Sequence, residues 1–171
     1  NFHRYEVTTL DASGAWNNMF ASTMKEAKNI MKDSENDPQY HGISKFLFAW
    51  SFSIATDSWG PVPFADSFDP AIREPAYDEQ KVVYEGVQKQ IDESIVDMEK
   101  RDGKNPGIVD LLYRGDMVKW VKLPHTIQAQ LHMRLTGAPG ENKTERANKA
   151  LTELGKGFAS NADDAGFAYP G

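Results

Sequence analysis

Apolar residues recur along this chain at the spacing of an α-helix, and their pattern predicts five helices. An apolar residue at every third or fourth position places one side of a helix against a core. No segment alternates apolar and polar residues over the length of a strand, because residues 4–9 alternate only weakly. The predicted helices occupy about 15–31, 42–56, 79–102, 116–136 and 145–154.

The first two predicted helices differ in how much of their surface is apolar. The first has Ser13 or Asp11 as its expected N-cap and one core-facing stripe, made of Trp16, Phe20, Thr23, Ala27 and Ile30. The second is apolar nearly all round, which places it inside the core. Its large apolar residues include Phe46, Leu47, Trp50 and Ile54. Gly60 and two prolines stop this helix.

The third predicted helix has the clearest start. Asp78 is the expected N-cap, and Tyr77 before it is expected to pack on Val82 as a hydrophobic staple. An apolar stripe follows at spacings of three and four residues and consists of Tyr84, Val87, Ile91, Ile95 and Met98. A glycine-containing segment from Gly103 then ends the helix.

The last two predicted helices follow a turn-rich segment. The fourth begins at Asp116, and Pro124 is expected to kink it. The fifth is expected to be capped by Thr144 and to close at Gly155 or Gly157. Its core-facing residues are predicted to be Ala147, Leu151 and Leu154. Helices one and two, and then three and four, are expected to form antiparallel hairpins that stack to bury their apolar sides.

The composition excludes several classes of function. A chain of 171 residues, 40% hydrophobic and 11% aromatic, can bury one sizeable core. Its net charge of −6 argues against binding to a nucleic-acid backbone, which requires clustered lysines and arginines. No apolar stretch approaches the roughly 20 residues that a membrane-spanning helix needs. The chain has no cysteine, so it has neither disulfides nor thiolate metal sites.

The two ends suggest that this chain is one part of a longer protein. It opens at Asn1 without the features of a signal peptide, and it stops at Gly171 in a turn-like segment. We therefore expect residues 1–171 to be a single helical-repeat region cut from a longer, processed chain. A signal peptide or lipid anchor is expected to lie outside it.

Two motifs have a more specific order than the helices. The first, from Asp57 to Phe64, reads Asp-Ser-Trp-Gly-Pro-Val-Pro-Phe and leads to a Tyr-Asp helix start at Tyr77. The second, from Asp110 to Trp120, has the pattern Asp-x-x-Tyr-x-Gly-Asp-x-x-Lys-Trp, and Met-Arg-Leu follows at 133–135. Together these motifs resemble the SusD/RagB family, the surface glycan-binding lipoproteins of Bacteroidetes. The resemblance covers about 16–135.

The resemblance implies both a fold and a function. The implied fold is all-α, with stacked antiparallel helical hairpins in a tetratricopeptide-like right-handed superhelix. The implied function is non-catalytic binding of an oligosaccharide in a nutrient-uptake complex of the polysaccharide-utilization type, together with a SusC-like TonB-dependent transporter. The implied location of the parent protein is the outer membrane of the cell, as a surface-exposed lipoprotein. Neither a cofactor nor a nucleic-acid partner is expected.

Aromatic residues are the natural candidates for stacking on sugar rings. The ligand-binding candidates are Arg4, Tyr5, Asn17 and Trp59, since they combine aromatic rings with planar hydrogen-bonding groups. Trp59 has a second interpretation as a structural corner. The remaining motif residues are predicted to shape the helical scaffold, and they are Gly60, Pro63, Tyr77, Asp78, Tyr113, Gly115, Asp116 and Trp120.

No catalytic residue and no metal ligand is predicted. His125 and His132 are seven residues apart on one helix, about 10 Å, which is too far for one ion. The acidic loop around Glu35 lacks the glycine and the closing glutamate of a calcium loop. The alternative function is a helical-repeat scaffold for protein–protein interaction with no small-molecule ligand.

Overall fold

The computed structural model describes residues 9–167, with side chains from Ser13 onward. Six α-helices are found there: α1 (Thr9–Asn17), α2 (Lys25–Asp33), α3 (Pro38–Trp59), α4 (Gln80–Glu99), α5 (Met117–Leu135) and α6 (Lys143–Leu154). A π-helical segment, Asn18–Met24, joins α1 to α2, and short 3₁₀ turns lie at Gly107–Val109 and Asn161–Asp163. Strand pairing in this part of the chain is limited to one isolated bridge between Val62 and Asp78. The all-α prediction is confirmed.

The helices pack in chain order as a stack of hairpins. Contacts join α2 to α3, α3 to α4, α4 to α5, and α5 to α6, and the α3–α4 contact is the most extensive. The predicted stack of helical hairpins is therefore confirmed. None of the helices in the described range is long and apolar enough to cross a membrane.

The predicted stripe of the first helix is wrong at two positions. Thr23 and Ile30 are exposed, whereas Met24 is buried and Met31 is half-buried. A π-helical turn holds more residues than an α-helical turn, so it moves the apolar side of the following helix along the sequence. The predicted N-caps are also wrong, because the helix already begins at Thr9.

Helix α3 is the core helix of the stack, as its apolar sequence predicted. Pro38 occupies its first turn, and Phe46, Phe48 and Phe52 are buried along it. Ile54, however, is 41% exposed, because the side of α3 that carries it lies away from α4 and borders an open groove. The helix ends at Trp59, and the next residue, Gly60, has a φ of 78° that favours glycine.

Helix α4 begins one residue later than predicted. All five residues of its predicted stripe are buried, so the spacing argument is confirmed. The predicted cap is wrong, because Asp78 is not at the N-cap position and Glu79 there makes no side-chain cap bond. The staple is also wrong, since both Tyr77 and Val82 are exposed.

Helix α5 confirms its predicted start. The Asp116 carboxylate accepts hydrogen bonds from the backbone N–H groups of Val118 and Lys119, as an N-cap should. The helix continues through the buried Pro124 to Leu135. Trp120 is only 4% exposed, and α4 packs on α5, both as expected.

Helix α6 departs most from its prediction. Asn142, rather than Thr144, caps it by accepting a hydrogen bond from the backbone N–H of Glu145. The buried residue is Ala150, while Leu151 and Leu154 are exposed. Among the helices, α6 packs extensively only on α5. A narrow stripe of small residues on one side of α6 is therefore enough for this packing. Gly155 follows its last residue, as predicted.

Candidate functional site

Four aromatic side chains meet where the first helix passes the end of α3. The Trp16 ring stacks on Phe20 with centroids 4.1 Å apart and meets Trp59 edge to face at 5.1 Å. Tyr77 lies nearly parallel to Trp16, with a centroid separation of 6.4 Å. Aromatic rings attract one another at these distances. We call Trp16, Phe20, Trp59 and Tyr77 the aromatic cluster.

The aromatic cluster is open to solvent on one side. Tyr77 is 63% exposed, and Trp16 and Trp59 are half-buried. Asn17, the residue after Trp16, is exposed. An exposed ring offers an apolar face, and an amide offers donors and an acceptor. This pairing suits a ligand that has apolar faces and hydroxyl edges, and few polar groups are enough to orient such a ligand.

The Asp78 carboxylate holds the corner that places Trp59 and Tyr77 together. Asp78 Oδ2 accepts hydrogen bonds from the backbone N–H groups of Phe64, at 3.0 Å, and Ala65, at 2.8 Å. The backbone of Asp78 also exchanges two hydrogen bonds with Val62. These bonds close the segment between α3 and α4, so Tyr77 is brought back towards the end of α3.

A second carboxylate, that of Asp57, fixes the last turn of α3. The Tyr84 hydroxyl donates to Asp57 Oδ1 at 2.5 Å, and Arg134 of α5 pairs with Asp57 Oδ2. Burial, reinforced by the Asp57 carboxylate, raises the pKa of Tyr84 to about 12. Tyr84 therefore stays neutral at ordinary pH and donates a hydrogen bond to Asp57. The turn that carries Trp59 is thus tied to both α4 and α5.

Two of the four predicted ligand candidates lie at or beside the aromatic cluster. Trp59 touches Trp16, and Asn17 follows Trp16 in the helix. Arg4 and Tyr5 lie outside the described residues. For Trp59 the geometry supports both of its interpretations, because the ring packs on Trp16 and keeps part of its surface exposed.

Trp16 is more central to the aromatic cluster than its spacing in the sequence predicted. The spacing predicted a buried stripe, but the Trp16 ring is only half-buried and links Trp59 to Tyr77. Tyr77, predicted as a scaffold residue, is the most exposed member of the cluster. No local signal distinguishes Trp16 from a core residue, because Asn17 and Asn18 lie on other sides of the helix.

The second motif forms a turn built around Asp110. Its Oδ1 accepts from the backbone N–H groups of Leu112 and Tyr113, and its Oδ2 accepts from Gly115 N at 2.9 Å and Trp120 Nε1 at 2.6 Å. Burial raises the pKa of Asp110, but hydrogen bonds, led by that from Gly115, outweigh burial and lower the pKa below its usual range. We call residues 110–120 the Asp110 turn.

The aromatic rings of the Asp110 turn point into the protein. Tyr113 and Trp120 are both buried and meet edge to face at 5.4 Å. The Tyr113 hydroxyl donates to the backbone oxygen of Asp163 at 2.9 Å. Because the Tyr113 hydroxyl and Trp120 Nε1 already donate hydrogen bonds within the protein and both rings are buried, neither residue offers a free ring face or a free donor to a ligand.

One carboxylate on α4 is bonded to three neighbouring side chains. Asp97 pairs with His41, Lys45 and Lys100 at 2.9, 3.0 and 2.7 Å. Burial raises the pKa of Asp97, but hydrogen bonds from Lys100, Lys45 and His41 lower it to about 2. Asp97 therefore remains ionised and serves as a structural anchor. Within the described range, no three His, Asp or Glu side chains are placed to hold a metal ion.

One protein-family model matches the entire chain. It is the SusD-like model described as "Starch-binding associating with outer membrane", and the match spans residues 1–171. No curated protein sequence matches the chain.

Several solved structures share this fold. A SusD/RagB family protein from Bacteroides thetaiotaomicron is 26% identical with a TM-score of 0.82, over 91% of this chain and 33% of its own. A chitin-binding protein is 28% identical with a TM-score of 0.79, over 94% of this chain and 35% of its own. A chitin-binding SusD homolog from Flavobacterium johnsoniae is 23% identical with a TM-score of 0.76, over 86% of this chain and 32% of its own. The chain thus spans about a third of the length of these structures.

Proposed function

This chain belongs to the SusD-like family, and we propose that it is the helical part of a non-catalytic, oligosaccharide-binding subunit of an outer-membrane uptake complex. The observation that carries this proposal is the aromatic cluster, with its exposed Tyr77 ring and the neighbouring Asn17. The similarity to the solved structure of a chitin-binding protein supports the choice of ligand class.

The proposed binding mode uses stacking for affinity and hydrogen bonds for orientation. The Tyr77 ring stacks on one face of a sugar unit, and the exposed edge of Trp59 or Trp16 lies against the next unit. The Asn17 amide orients sugar hydroxyls by donating and accepting hydrogen bonds. Arg4 and Tyr5 are proposed to add further contacts from the N-terminal segment. The ligand is held without bond cleavage.

The wider role is proposed from the family. We propose that the chain is one region of a longer lipoprotein on the outer-membrane surface. There it passes the oligosaccharide to a SusC-like TonB-dependent transporter. Co-purification of the full-length gene product with a transporter encoded beside its gene would support this partnership. The absence of a complex from mildly solubilised membranes would contradict it.

Calorimetry with neutral oligosaccharides of the starch and chitin types tests the ligand class. We expect Tyr77→Ala to weaken binding about tenfold, which corresponds to about 1.4 kcal/mol. Leu151→Ala is the matched control, because Leu151 is 66% exposed on α6, outside the aromatic cluster. Both the 171-residue chain and the full-length gene product should be titrated, and we expect the chain alone to bind more weakly. Equal affinity of wild type and Tyr77→Ala would contradict the proposed site.

A second candidate function is favoured by a different surface. An apolar groove of about 680 Å³ lies between α2, α3 and the segment around Leu111, with Leu47, Trp50 and Ile54 along one wall. Such a surface is typical of a protein–protein interaction scaffold. If no oligosaccharide of the panel gives a binding isotherm with either form of the protein, this alternative replaces the first.

A further inference from the structure

A groove rich in lysine opens beside α2. It has a volume of about 720 Å³ and lies between α2, the start of α3 and the loop segment that carries Phe68. Three of its lining residues, Lys25, Lys28 and Lys32, occupy one side of α2 at spacings of three and four residues, which makes them neighbours on the helix surface. We call this feature the lysine groove.

The three lysines of the groove have no carboxylate partner within the described part of the chain. Other lysines do: Lys45 and Lys100 both pair with Asp97, and Lys122 pairs with Asp163. In a protein of net charge −6, three neighbouring unpaired ammonium groups concentrate positive potential at one place. The lining also contains two carboxylates, Glu35 and Asp69.

One wall of the groove is aromatic and is held in an uncommon backbone conformation. Phe68 has a φ of 62°, which is rare for a bulky residue. Its ring packs edge to face on Phe48 at 5.9 Å, and Lys28 Nζ lies 5.6 Å from the centroid of the Phe48 ring. Asn29 adds an exposed amide to the same lining.

The lysine groove and the aromatic cluster lie along one continuous helical path. Lys28 follows Trp16 by twelve residues, which corresponds to about 18 Å along a helix. The rings of Phe20, Phe52, Phe48 and Phe68 form a chain of contacts between the two sites. Both sites therefore border the same packed row of aromatic rings.

We propose that the lysine groove binds a negatively charged unit, carrying a carboxylate or sulfate, of an acidic oligosaccharide. This inference rests on the proposed function and narrows its substrate class. The lysines attract the anion, the Asn29 amide bonds to hydroxyls, and the Phe68 ring supports the sugar. A membrane surface fits this groove less well, because a continuous sheet of anionic headgroups would also meet Glu35 and Asp69.

The test compares acidic and neutral oligosaccharides of equal length by calorimetry on the 171-residue chain and the full-length gene product. The acidic probe is an oligogalacturonide, and the neutral probe is the best ligand of the starch and chitin panel. The variant is Lys25→Gln/Lys28→Gln/Lys32→Gln, whose three positions are all exposed. The matched control is Lys89→Gln/Lys143→Gln/Lys156→Gln, which removes the same charge from exposed positions outside the groove.

We expect the groove variant to lose at least tenfold in affinity for the oligogalacturonide, while the control variant keeps it. Added salt should weaken the acidic interaction in the wild type and leave neutral binding unchanged. Neutral binding by both variants should equal that of the wild type, since the aromatic cluster is untouched.

Three outcomes would overturn the inference, and they are distinguishable from failure of the proposed function. If the neutral probe binds but the oligogalacturonide binds no more tightly, or loses equal affinity in both variants, the groove has no anion selectivity. If anionic phosphatidylserine vesicles bind through these lysines while the oligogalacturonide does not, the groove contacts a membrane instead. If no oligosaccharide binds, the proposed function fails and this inference fails with it.

Discussion

The aromatic cluster and the Asp110 turn are built from the same kinds of residue and end up with opposite exposure. Each joins rings through edge-to-face contacts and is held by a carboxylate that accepts backbone hydrogen bonds. In the Asp110 turn, Tyr113 and Trp120 are buried. In the aromatic cluster, Tyr77 is exposed and Trp59 half-buried.

The two regions differ in the hydrogen bonds that the polar atoms of their aromatic side chains make. Trp120 Nε1 donates to Asp110, and the Tyr113 hydroxyl donates to a backbone oxygen, so both rings are fixed on two sides. The rings of the aromatic cluster are placed by stacking, while the carboxylate of Asp78 bonds the backbone around them. An aromatic side chain of these motifs therefore remains accessible to a ligand when the nearby carboxylate bonds only backbone N–H groups. It is fixed in the protein when the carboxylate also accepts a hydrogen bond from the aromatic side chain itself.

The largest expected effect is a difference in protein stability between a substitution in the Asp110 turn and one in the aromatic cluster. We expect Trp120→Ala to lower the free energy of unfolding by about 3–5 kcal/mol, because it leaves a cavity and removes the Nε1 hydrogen bond to Asp110. Tyr77→Ala should change it by less than about 0.5 kcal/mol, as is usual for an exposed side chain. Urea unfolding of both variants measures the two values. Similar losses would show that Tyr77 is as structural as Trp120.

Two glycines with nearly the same φ provide a closer comparison. Gly60 and Gly115 have φ values of 78° and 82°. A Cβ at Gly115 would lie 2.7 Å from the backbone nitrogen of Gly107, whereas a Cβ at Gly60 would have no atom within 4 Å. Gly60→Ala should therefore cost only backbone strain, on the order of 1–3 kcal/mol.

Gly115→Ala should cost more than Gly60→Ala, because the Asp110 turn must shift to admit the methyl group. Urea unfolding of the two variants side by side measures the difference. If Gly60→Ala proved the more destabilising, the corner at the end of α3 would be the more tightly packed of the two regions.

The smallest effect is a pH dependence of the Asp110 turn. The pKa of Asp110 is lowered in the folded state, so its ionised form stabilises the fold above the usual carboxyl pKa of 3.8. This stability is lost as the pH falls below 3.8 and through the lowered pKa. Asp110→Asn cannot ionise, so we expect it to be less stable by about 1–3 kcal/mol at neutral pH.

The difference between wild type and Asp110→Asn should shrink as the pH falls from neutral to strongly acidic values. Urea unfolding across this range measures it, with Asp164→Asn as a control at an exposed carboxylate. A difference that stays constant over the range would mean that charge contributes nothing to the Asp110 turn.

Local patterns in the sequence predicted much of the fold. The stripe of α4 and the cap of α5 at Asp116 are both confirmed, because they depend on residues within a few positions of one another. The failures come from the ends of the chain and from turns. A π-helical segment displaced the apolar side of the first helix, and α6 packs on a single neighbour.

What the sequence determined by itself is the class of the fold, the order of its helical segments, and the motif order typical of the family. Helical periodicity and capping are local, so the chain encodes them directly. What only the tertiary structure decided is which aromatic residues remain accessible. Asp78 bonds Phe64 and Ala65 instead of capping α4, and this places Tyr77 against Trp16. Those partners are distant in sequence, and only packing brings their atoms within bonding distance.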